Sequence, residues 1–554
     1  MKTAKFYIPL LLVESYLLFT LWLFFFGPVI WPVENKKEFL FVVSLYHAFF
    51  IAGYLLSCRF SLKQSIRTVE SNGHNLFLKY YWVIIVFAFI AMVILHRNTT
   101  LSRSYFPTGF FSELLKGLLA PAEVRSFYAS AASREGFSGN AYVTGLLLFF
   151  GVFKYVLLPG LVFFWDRLST TRKVVGFLVV MLPLCTGIIS SLSAINFYYL
   201  FVVSVCLFGV VISNKSAGFF VELGRRKTFL FFLAFIFLFS FWQFYSVKSG
   251  VSPYKVFFED EKPVSFSYLN ETGSVFKSDL EPAEKAKVAD SSVKDTAPAV
   301  PENVDITVRP AKTNVVALPA TVDNKGTTAK NHSSHTTASP PKASIPEPPP
   351  VKVETAILPE IAKVADVPAQ VAVAVVPEKS PLTDFYEKLT VYLVQGYQGV
   401  SIALGEKFDS SYGIGHSVFL QRVFAEHLGI DVRDRTFQRK ITARWDENVY
   451  WHSFYSYMAN DVSFFGVSIV MLILGWYFAN VYLAVVIDDD FFAKMLLPLF
   501  AIMFLYIPAN NQIFSFLETM ISFWILTALY IFHRRRTAVR HAQGFTEVNT
   551  AGQV

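Results

Sequence analysis

The stretch "SFFGVSIVMLILGWYFANVYLAVV", residues 463–486, contains 24 residues and no charged side chain. At about 1.5 Å per residue, a helix of this length crosses the roughly 30 Å hydrocarbon core of a bilayer. Immediately before it, residues 444–462 read "RWDENVYWHSFYSYMANDV" and crowd charged and aromatic side chains together. The pattern predicts a membrane helix that begins at a dense polar and aromatic segment.

The rest of the chain has the same apolar character. Of its 554 residues, 54% are hydrophobic and 16% are charged, whereas soluble domains carry about 25% charged residues. Ten segments are apolar enough to span a bilayer: 6–27, 38–57, 80–96, 141–163, 174–191, 194–213, 228–247, 463–486, 491–508 and 513–532. We therefore predict an all-α polytopic membrane protein with about ten transmembrane helices, the first one retained and not cleaved as a signal peptide.

Loop charges predict the orientation of these helices. Lys and Arg collect before the first segment and after the second, fourth, sixth and tenth, which favours cytoplasmic termini. The acidic stretch "IDDD", 487–490, is the one exception. The net charge of +8 is explained by these loops, so no nucleic-acid partner is predicted. Residues 97–140 and 248–462 then form the outer segments.

The larger outer segment divides into two parts. Residues 281–380 hold 14 of the 26 prolines, one glycine and no aromatic residue, a composition that cannot bury a core. We interpret 248–381 as a mostly disordered Ala/Pro/Val/Lys-rich linker, either a spacer or a docking arm. Aromatic residues and helical spacing return at 382–462, which predicts a small outer helical subdomain leaning on the bundle. Helices 1–7 (residues 1–247) precede this large outer loop, while helices 8–10 (463–532) and a basic cytoplasmic tail (533–554) follow it.

This subdomain is rich in arginine. The guanidinium group is a planar, permanently charged fork that grips phosphate oxygens in a bidentate way. A cluster beside a bilayer fits an anionic lipid headgroup, above all a diphosphate. The candidate ligands are Arg422, Arg435, Arg439 and Arg444.

His452 is a candidate general base, because an imidazole can take a proton from a sugar hydroxyl near neutral pH. The carboxylates of Asp446, Glu447 and Asp461 are nearby in sequence and could do the same work or orient the ring. A single histidine can equally be a structural residue of a core, and the residues alone leave this choice open.

Aromatic and amide side chains are the candidate glycan ligands. Aromatic rings stack on sugar faces, although Trp and Tyr also anchor proteins at membrane interfaces without any ligand. Amides at the outer hairpin between the last two helices could bind hydroxyl groups. The candidates are Trp445, Tyr450, Trp451, Tyr455, His416, Asn510, Asn511 and Gln512.

Other features limit the function classes. Ionisable residues inside predicted spans usually face the bundle interior, and we expect Glu14 and Lys154 to pair. The sequence has no phosphate-binding loop, dinucleotide fingerprint or metal-ligand spacing. We therefore expect no metal and no cofactor.

Four segments resemble the bacterial Wzy-type O-antigen and oligosaccharide repeat-unit polymerases, which are membrane glycosyltransferases related to the O-antigen ligases. They are "QGYQGVSIAL", "YGIGHSVFL", "WHSFYSYMANDVSFFG" and "PANNQIFSFLET", in this order between residues 390 and 520. The family pattern WHxxYxxxAxDxSFxG matches Trp451, His452, Tyr455, Asp461 and Gly466. The Pro-rich insert at 281–380 departs from the family pattern.

The resemblance implies transfer of a growing glycan from undecaprenyl diphosphate to the next lipid-linked repeat unit. It places the chain in the bacterial inner membrane with its large loop in the periplasm. The bilayer, undecaprenyl-diphosphate-linked oligosaccharides, and chain-length regulators or other envelope-assembly proteins are the implied partners. In this hypothesis arginines neutralise the leaving diphosphate, His452 or a carboxylate takes the acceptor proton, and aromatic rings hold the sugars.

Three other functions remain open at this stage. An O-antigen ligase would use the same donor and lipid A core as the acceptor. A lipid-linked oligosaccharide flippase would show internal repeats and polar residues along a midplane path, which are not clear in this sequence. A scaffold for envelope assembly would depend on the Pro-rich segment.

Overall fold

The computed structural model describes residues 4–64, 73–100, 106–134, 141–213, 227–249 and 381–551. The predicted linker 248–381 lies almost entirely outside these residues. Every regular element in the described residues is helical. The fifteen α-helices found there are α1 (Ile8–Phe26), α2 (Lys36–Gln64), α3 (Gly73–Thr99), α4 (Phe110–Leu119), α5 (Pro121–Arg134), α6 (Ala141–Phe164), α7 (Thr170–Ile189), α8 (Ser193–Ser213), α9 (Lys227–Ser249), α10 (Pro381–Ala403), α11 (Val418–Leu428), α12 (Phe437–Lys440), α13 (Phe454–Ile487), α14 (Phe491–Tyr506) and α15 (Leu517–Ala551).

Seven of the described helices are long and apolar enough to cross a membrane. Their apolar stretches are Ile8–Phe26, Lys36–Arg59, Leu76–Arg97, Gly145–Arg167, Thr170–Ile189, Phe229–Val247 and Phe454–Ile487. Two predicted spans correspond to shorter apolar helices, Tyr198–Ile212 and Phe491–Tyr506. The tenth prediction, 513–532, falls on α15, which is not among the seven. The all-helical membrane class is thus confirmed, and the count of ten is not.

Helix α13 lies at the centre of the bundle and packs closely on α2. A Cβ atom added to Gly53 would lie 2.0 Å from the carbonyl oxygen of Leu472, and one added to Gly475 would lie 2.2 Å from that of Phe50. Glycine at both positions lets the two backbones touch. This close contact fixes the position of α13 against α2, and with it the position of the residues in the first turns of α13.

A kink divides α13 at Ser463, whose φ of 65° and ψ of 166° are not helical. Residues 454–462 therefore form a separate short helix that enters the bundle helix at an angle. The backbone N–H of Gly466 donates to Ser463 Oγ at 3.4 Å and so caps the second part. The kink coincides with the predicted start of the membrane segment at 463.

Buried contacts between ionisable side chains link helices of the bundle. His47 Nδ1 lies 2.6 Å from Glu14 Oε2, and Lys154 Nζ lies 2.6 Å from Glu518 Oε1. The predicted pair of Glu14 with Lys154 is therefore wrong. Each residue instead has a partner on a neighbouring helix, which no sequence spacing reports.

The acidic stretch 487–490 is neutralised by the basic start of the predicted tail. Asp488 accepts from Arg534 at 2.7 Å, and Asp490 lies 3.0 Å from His533 Nδ1. Lys494 pairs with Asp489. These counter-ions explain how an acidic loop and a basic segment share one end of the bundle.

Helix α10 begins beside α9 and ends in the core. The ring of Phe385 lies 5.7 Å from that of Phe241 and 5.6 Å from that of Phe244. Further along α10, the hydroxyl of Tyr397 lies 3.3 Å from Thr20 Oγ1 of α1. The residues predicted as an outer subdomain are therefore packed against the helical bundle.

Candidate active site

Four chain segments meet at one end of the bundle: α10, the 404–417 loop, the first part of α13, and the turn between α14 and α15, which we call hairpin 507–516. Gly396 of α10 marks the closest approach. A Cβ atom there would lie 2.5 Å from both the carbonyl oxygen of Pro508 and the backbone nitrogen of Ser453. The four stretches quoted from residues 390–520 in the sequence analysis lie in these segments and pack together in space.

Asp461 organises this meeting point. Its carboxylate accepts hydrogen bonds from the backbone N–H groups of Gly413 at 3.0 Å, Gly415 at 2.9 Å and His416 at 2.9 Å. Charge-assisted bonds of this kind are stronger than neutral ones. Gly413 has a φ of 82° and Tyr412 a φ of 56°, so the carboxylate holds a turn that bends through the left-handed region. Asp461 was predicted as a base or as a group that orients the ring of His452. Its three backbone contacts instead make it the anchor of the turn 413–416.

The same carboxylate holds the ring of His416, whose Nδ1 lies 2.9 Å from Asp461 Oδ2. A carboxylate accepts, so Nδ1 carries the proton and Nε2 is left as the acceptor. The carbonyl of His416 accepts from Asn511 Nδ2 at 2.7 Å, and the ring meets the edge of Phe514 at 5.9 Å. The side chain is 22% exposed. A histidine oriented by a carboxylate and open to solvent is suited to general-base catalysis.

Arg435 lies at the end of the short 3-10 helix Arg433–Arg435 and contacts the turn that precedes His416. Its guanidinium group lies 4.8 Å from the ring centre of Tyr412 and donates to the hydroxyl of that residue at 2.7 Å. It also lies 3.6 Å from Asp409. One predicted phosphate ligand thus packs against the segment that carries the candidate base.

The other predicted arginines have different surroundings. Arg444 donates to Glu34 and to Glu406, both at 2.8 Å, so two carboxylates already neutralise it. Arg439 lies 3.4 Å from Glu447. Arg422 on α11 is exposed and, within the described part of the chain, forms no ion pair. Its charge is the one of these four that is not compensated by a carboxylate.

His452 lies in the core, with 1% of its surface exposed. Burial lowers the pKa of its imidazole from 6.5 to about 3, because the charged form would lose its hydration. Neither ring nitrogen has a hydrogen-bond partner among the described residues. Gly399 and Trp445 pack around the ring. The ring is enclosed in this structure, so the surroundings of His452 do not support its predicted role as the general base.

The two remaining predicted carboxylates serve local contacts. Asp446 Oδ1 accepts from the backbone N–H and the side-chain amide of Asn448, at 2.9 and 3.0 Å. Glu447 pairs with Arg439. The structure does not bring either carboxylate into contact with His452.

The predicted aromatic ligands separate into exposed and buried rings. Tyr450 is 40% exposed and stacks on Trp445 at 4.2 Å. Trp451 is half-buried and meets the edge of Tyr392 at 5.3 Å. Tyr455 has no exposed surface, so its predicted stacking on a sugar is revised to core packing. Tyr450 is the ring best placed for a glycan.

The predicted amides build hairpin 507–516. Asn511 is buried, holds the carbonyl of His416, and accepts from the backbone N–H of Phe514 at 3.3 Å. Asn510 and Gln512 are half-buried, and Asn510 Oδ1 accepts from the backbone N–H of Asn511. Asn511 is thus a positioning residue, while the other two amides are partly accessible.

The sequence did not identify the pair of His416 with Asp461, because 45 residues separate its members. The available signal was local: a glycine-rich turn ends in a histidine before a serine-capped helix, and an aspartate precedes the apolar segment. Within the described residues, no three His, Cys, Asp or Glu side chains form a metal site. Comparisons with family models, curated proteins and solved structures give no match to the chain.

Proposed function

We propose that the protein transfers glycan between lipid-linked substrates at the outer end of its helical bundle, polymerising undecaprenyl-diphosphate-linked repeat units in the bacterial inner membrane. The observation that supports this proposal most strongly is the contact of His416 Nδ1 with Asp461 Oδ2 at 2.9 Å, which orients an imidazole that is partly open to solvent. It lies where a polar cluster adjoins apolar helices, and a site at this depth suits substrates with wet sugars and lipid tails. The resemblance of the four converging segments to repeat-unit polymerases supports the same function.

In this mechanism His416 Nε2 accepts the proton of an acceptor sugar hydroxyl as the oxygen attacks the anomeric carbon of the donor. The bond from that carbon to the diphosphate breaks, and undecaprenyl diphosphate leaves with the bonding electrons. Asp461 holds the imidazole in the required tautomer and stabilises the imidazolium ion that forms. General-base catalysis of this kind contributes about 10²- to 10⁴-fold in rate.

Arg422 is the preferred ligand for the leaving diphosphate, because it is exposed and no carboxylate of the described residues pairs with it. Arg435 is the second choice, since it donates to Tyr412 of the turn that leads into His416. Arg439 and Arg444 would have to exchange carboxylate partners for phosphate. Tyr450 offers an exposed ring to the glycan.

Reconstitution of the purified full-length protein in vesicles with a lipid-linked repeat unit tests this function. A ladder of products that grow by one repeat unit supports it. Unchanged substrate, under conditions in which the protein remains folded, contradicts it. Transfer to lipid A core without a ladder indicates an O-antigen ligase, which shares the donor and differs in the acceptor.

A further inference from the structure

A buried ion pair lies beside the first turn of α15. Lys154 Nζ is 2.6 Å from Glu518 Oε1, and these side chains are 9% and 17% exposed. The helices are close here, since a Cβ atom added to Gly151 would lie 2.9 Å from Glu518 Cγ. The ammonium group also lies 4.8 Å from the ring centre of Tyr155. Helix α6 therefore holds α15 at one defined point.

Such a pair is not explained by stability alone. Removing two charges from water costs several kcal/mol per ion, and their attraction often does no more than offset that cost. An ion pair does fix a geometry, because loss of either partner leaves a buried charge. The question is therefore which part of the molecule the Lys154–Glu518 pair holds in place.

The first turn of α15 is tied to the candidate active site through two neighbours of Glu518. Thr519 Oγ1 lies 2.8 Å from the carbonyl oxygen of Ile513 and 3.0 Å from that of Gln512, so it fastens hairpin 507–516. Met520 Sδ accepts from Ser417 Oγ at 3.6 Å. At 100° per residue, Glu518 and Met520 point to opposite sides of the helix. The first turn of α15 thus lies between the Lys154–Glu518 pair and Ser417, the residue that follows His416.

Hairpin 507–516 also connects the first turn of α15 to His416. Asn511 Nδ2 donates to the carbonyl of His416 at 2.7 Å, and Phe514 lies against the imidazole. A shift of the first turn of α15 would therefore reach His416 along two routes, through Ser417 and through the hairpin. A misplacement of about 1 Å at a reacting group can cost on the order of 10²-fold in rate.

We propose that Lys154 and Glu518 are positioning residues, which hold the first turn of α15 so that His416 keeps its catalytic geometry. The proposal rests on the proposed role of His416 as the general base. The ion pair itself touches no substrate. It acts through Thr519, Met520 and hairpin 507–516.

The test compares Lys154→Met, Glu518→Gln and the exchanged pair Lys154→Glu/Glu518→Lys in the reconstituted transfer reaction. We expect each single variant to lower kcat by roughly ten- to a hundredfold with little change in KM for the lipid-linked substrate. The exchanged pair retains opposite charges and the same total side-chain length, so we expect it to recover most of the lost kcat. Thermal unfolding in detergent micelles gives the folded fraction for each protein.

Lys494→Met is the matched control. It breaks the ion pair of another buried lysine, that of Lys494 with the half-exposed Asp489, at the opposite end of α14. We expect it to lower the unfolding temperature and leave the kcat of the folded enzyme unchanged.

Equal kcat for the folded fractions of Lys154→Met and wild type would overturn the proposal, as would an exchanged pair no better than the single variants. His416→Gln, measured in parallel, distinguishes failure of the positioning role of Lys154 and Glu518 from failure of the proposed base. If His416→Gln is inactive and Lys154→Met is fully active, the positioning role fails and the proposed function stands. If His416→Gln is fully active, the proposed base fails and the positioning role fails with it.

Discussion

At the scale of single residues, the imidazole of His416 is held by a carboxylate, whereas that of His452 is held by packing alone. Both histidines precede a serine that caps a helix. Only the first has its Nδ1 satisfied and its ring partly open to solvent. This difference in surroundings is why the proposed proton transfer is placed on His416 rather than on His452.

The depressed pKa of His452 predicts how stability depends on pH. The unfolded chain binds a proton below pH 6.5, while the folded protein does so only near pH 3, so acidification favours unfolding. Between pH 7.5 and pH 5 we expect wild type to lose about 2 kcal/mol more unfolding free energy than His452→Leu. Titration with denaturing detergent at both pH values measures this difference. An identical pH dependence for the two proteins would contradict the buried, neutral imidazole.

Asp461 supports a second prediction at this scale. In Asp461→Asn one oxygen is replaced by an amide NH₂, which cannot accept. The variant therefore loses either the bonds from the N–H groups of Gly413 and Gly415 or those from the N–H and Nδ1 of His416. We expect a loss of about 1–3 kcal/mol in unfolding free energy and a fall in kcat close to that of His416→Gln. The matched control is Asp446→Asn, because an amide oxygen can still accept both bonds from Asn448. A comparable loss in both variants would argue against a special role for Asp461.

At the scale of helices, the kink at Ser463 aims Asp461 at the turn that carries His416. Its φ of 65° and ψ of 166° belong to a region that glycine occupies freely and other residues occupy at a cost. The change from charged to apolar residues predicted the boundary at 463. The kink itself was not predicted, because serine carries no signal for positive φ and the contacts that impose it are distant in sequence.

The kink gives the third prediction. We expect Ser463→Gly to raise the unfolding free energy by about 1 kcal/mol through relief of strain, and Ser463→Val to lower it by about 1–3 kcal/mol. Because the valine variant also turns Asp461 away from its N–H partners, its kcat should fall, while that of the glycine variant should remain. Detergent unfolding combined with the transfer assay tests both effects. A valine variant as stable and active as wild type would refute the strained geometry.

At the scale of the whole molecule, the ring of Phe385 at the start of α10 contacts those of Phe241 and Phe244 in α9, so the chain returns to α9 after the predicted outer linker. This aromatic contact, which does not involve the insert 281–380, holds the last turns of α9 beside the first turns of α10. We expect deletion of 281–380 to leave membrane insertion, folding and repeat-unit polymerisation intact. Protein level in the membrane and polysaccharide length on gels measure the outcome. Loss of polymer with normal insertion would favour a scaffold role.

The sequence predicted the helical membrane class and the positions of most apolar helices, because uncharged runs such as 463–486 are local signals. It did not predict which ionisable residues pair, since Glu14 with His47 and Lys154 with Glu518 depend on helix packing. The segments singled out in the sequence pack together, but the contact of His416 with Asp461 was not predicted. His416 and Asp461 meet only after α13, the 404–417 loop and hairpin 507–516 have packed together.

The most direct test of the account is the transfer rate of purified His416→Gln in vesicles that contain a lipid-linked repeat unit, measured beside wild type and His452→Leu. We expect His416→Gln to be slower by about 10²- to 10⁴-fold, and His452→Leu to retain the wild-type rate in its folded fraction. The contradictory result is the reverse order, in which His416→Gln extends glycan normally and His452→Leu does not.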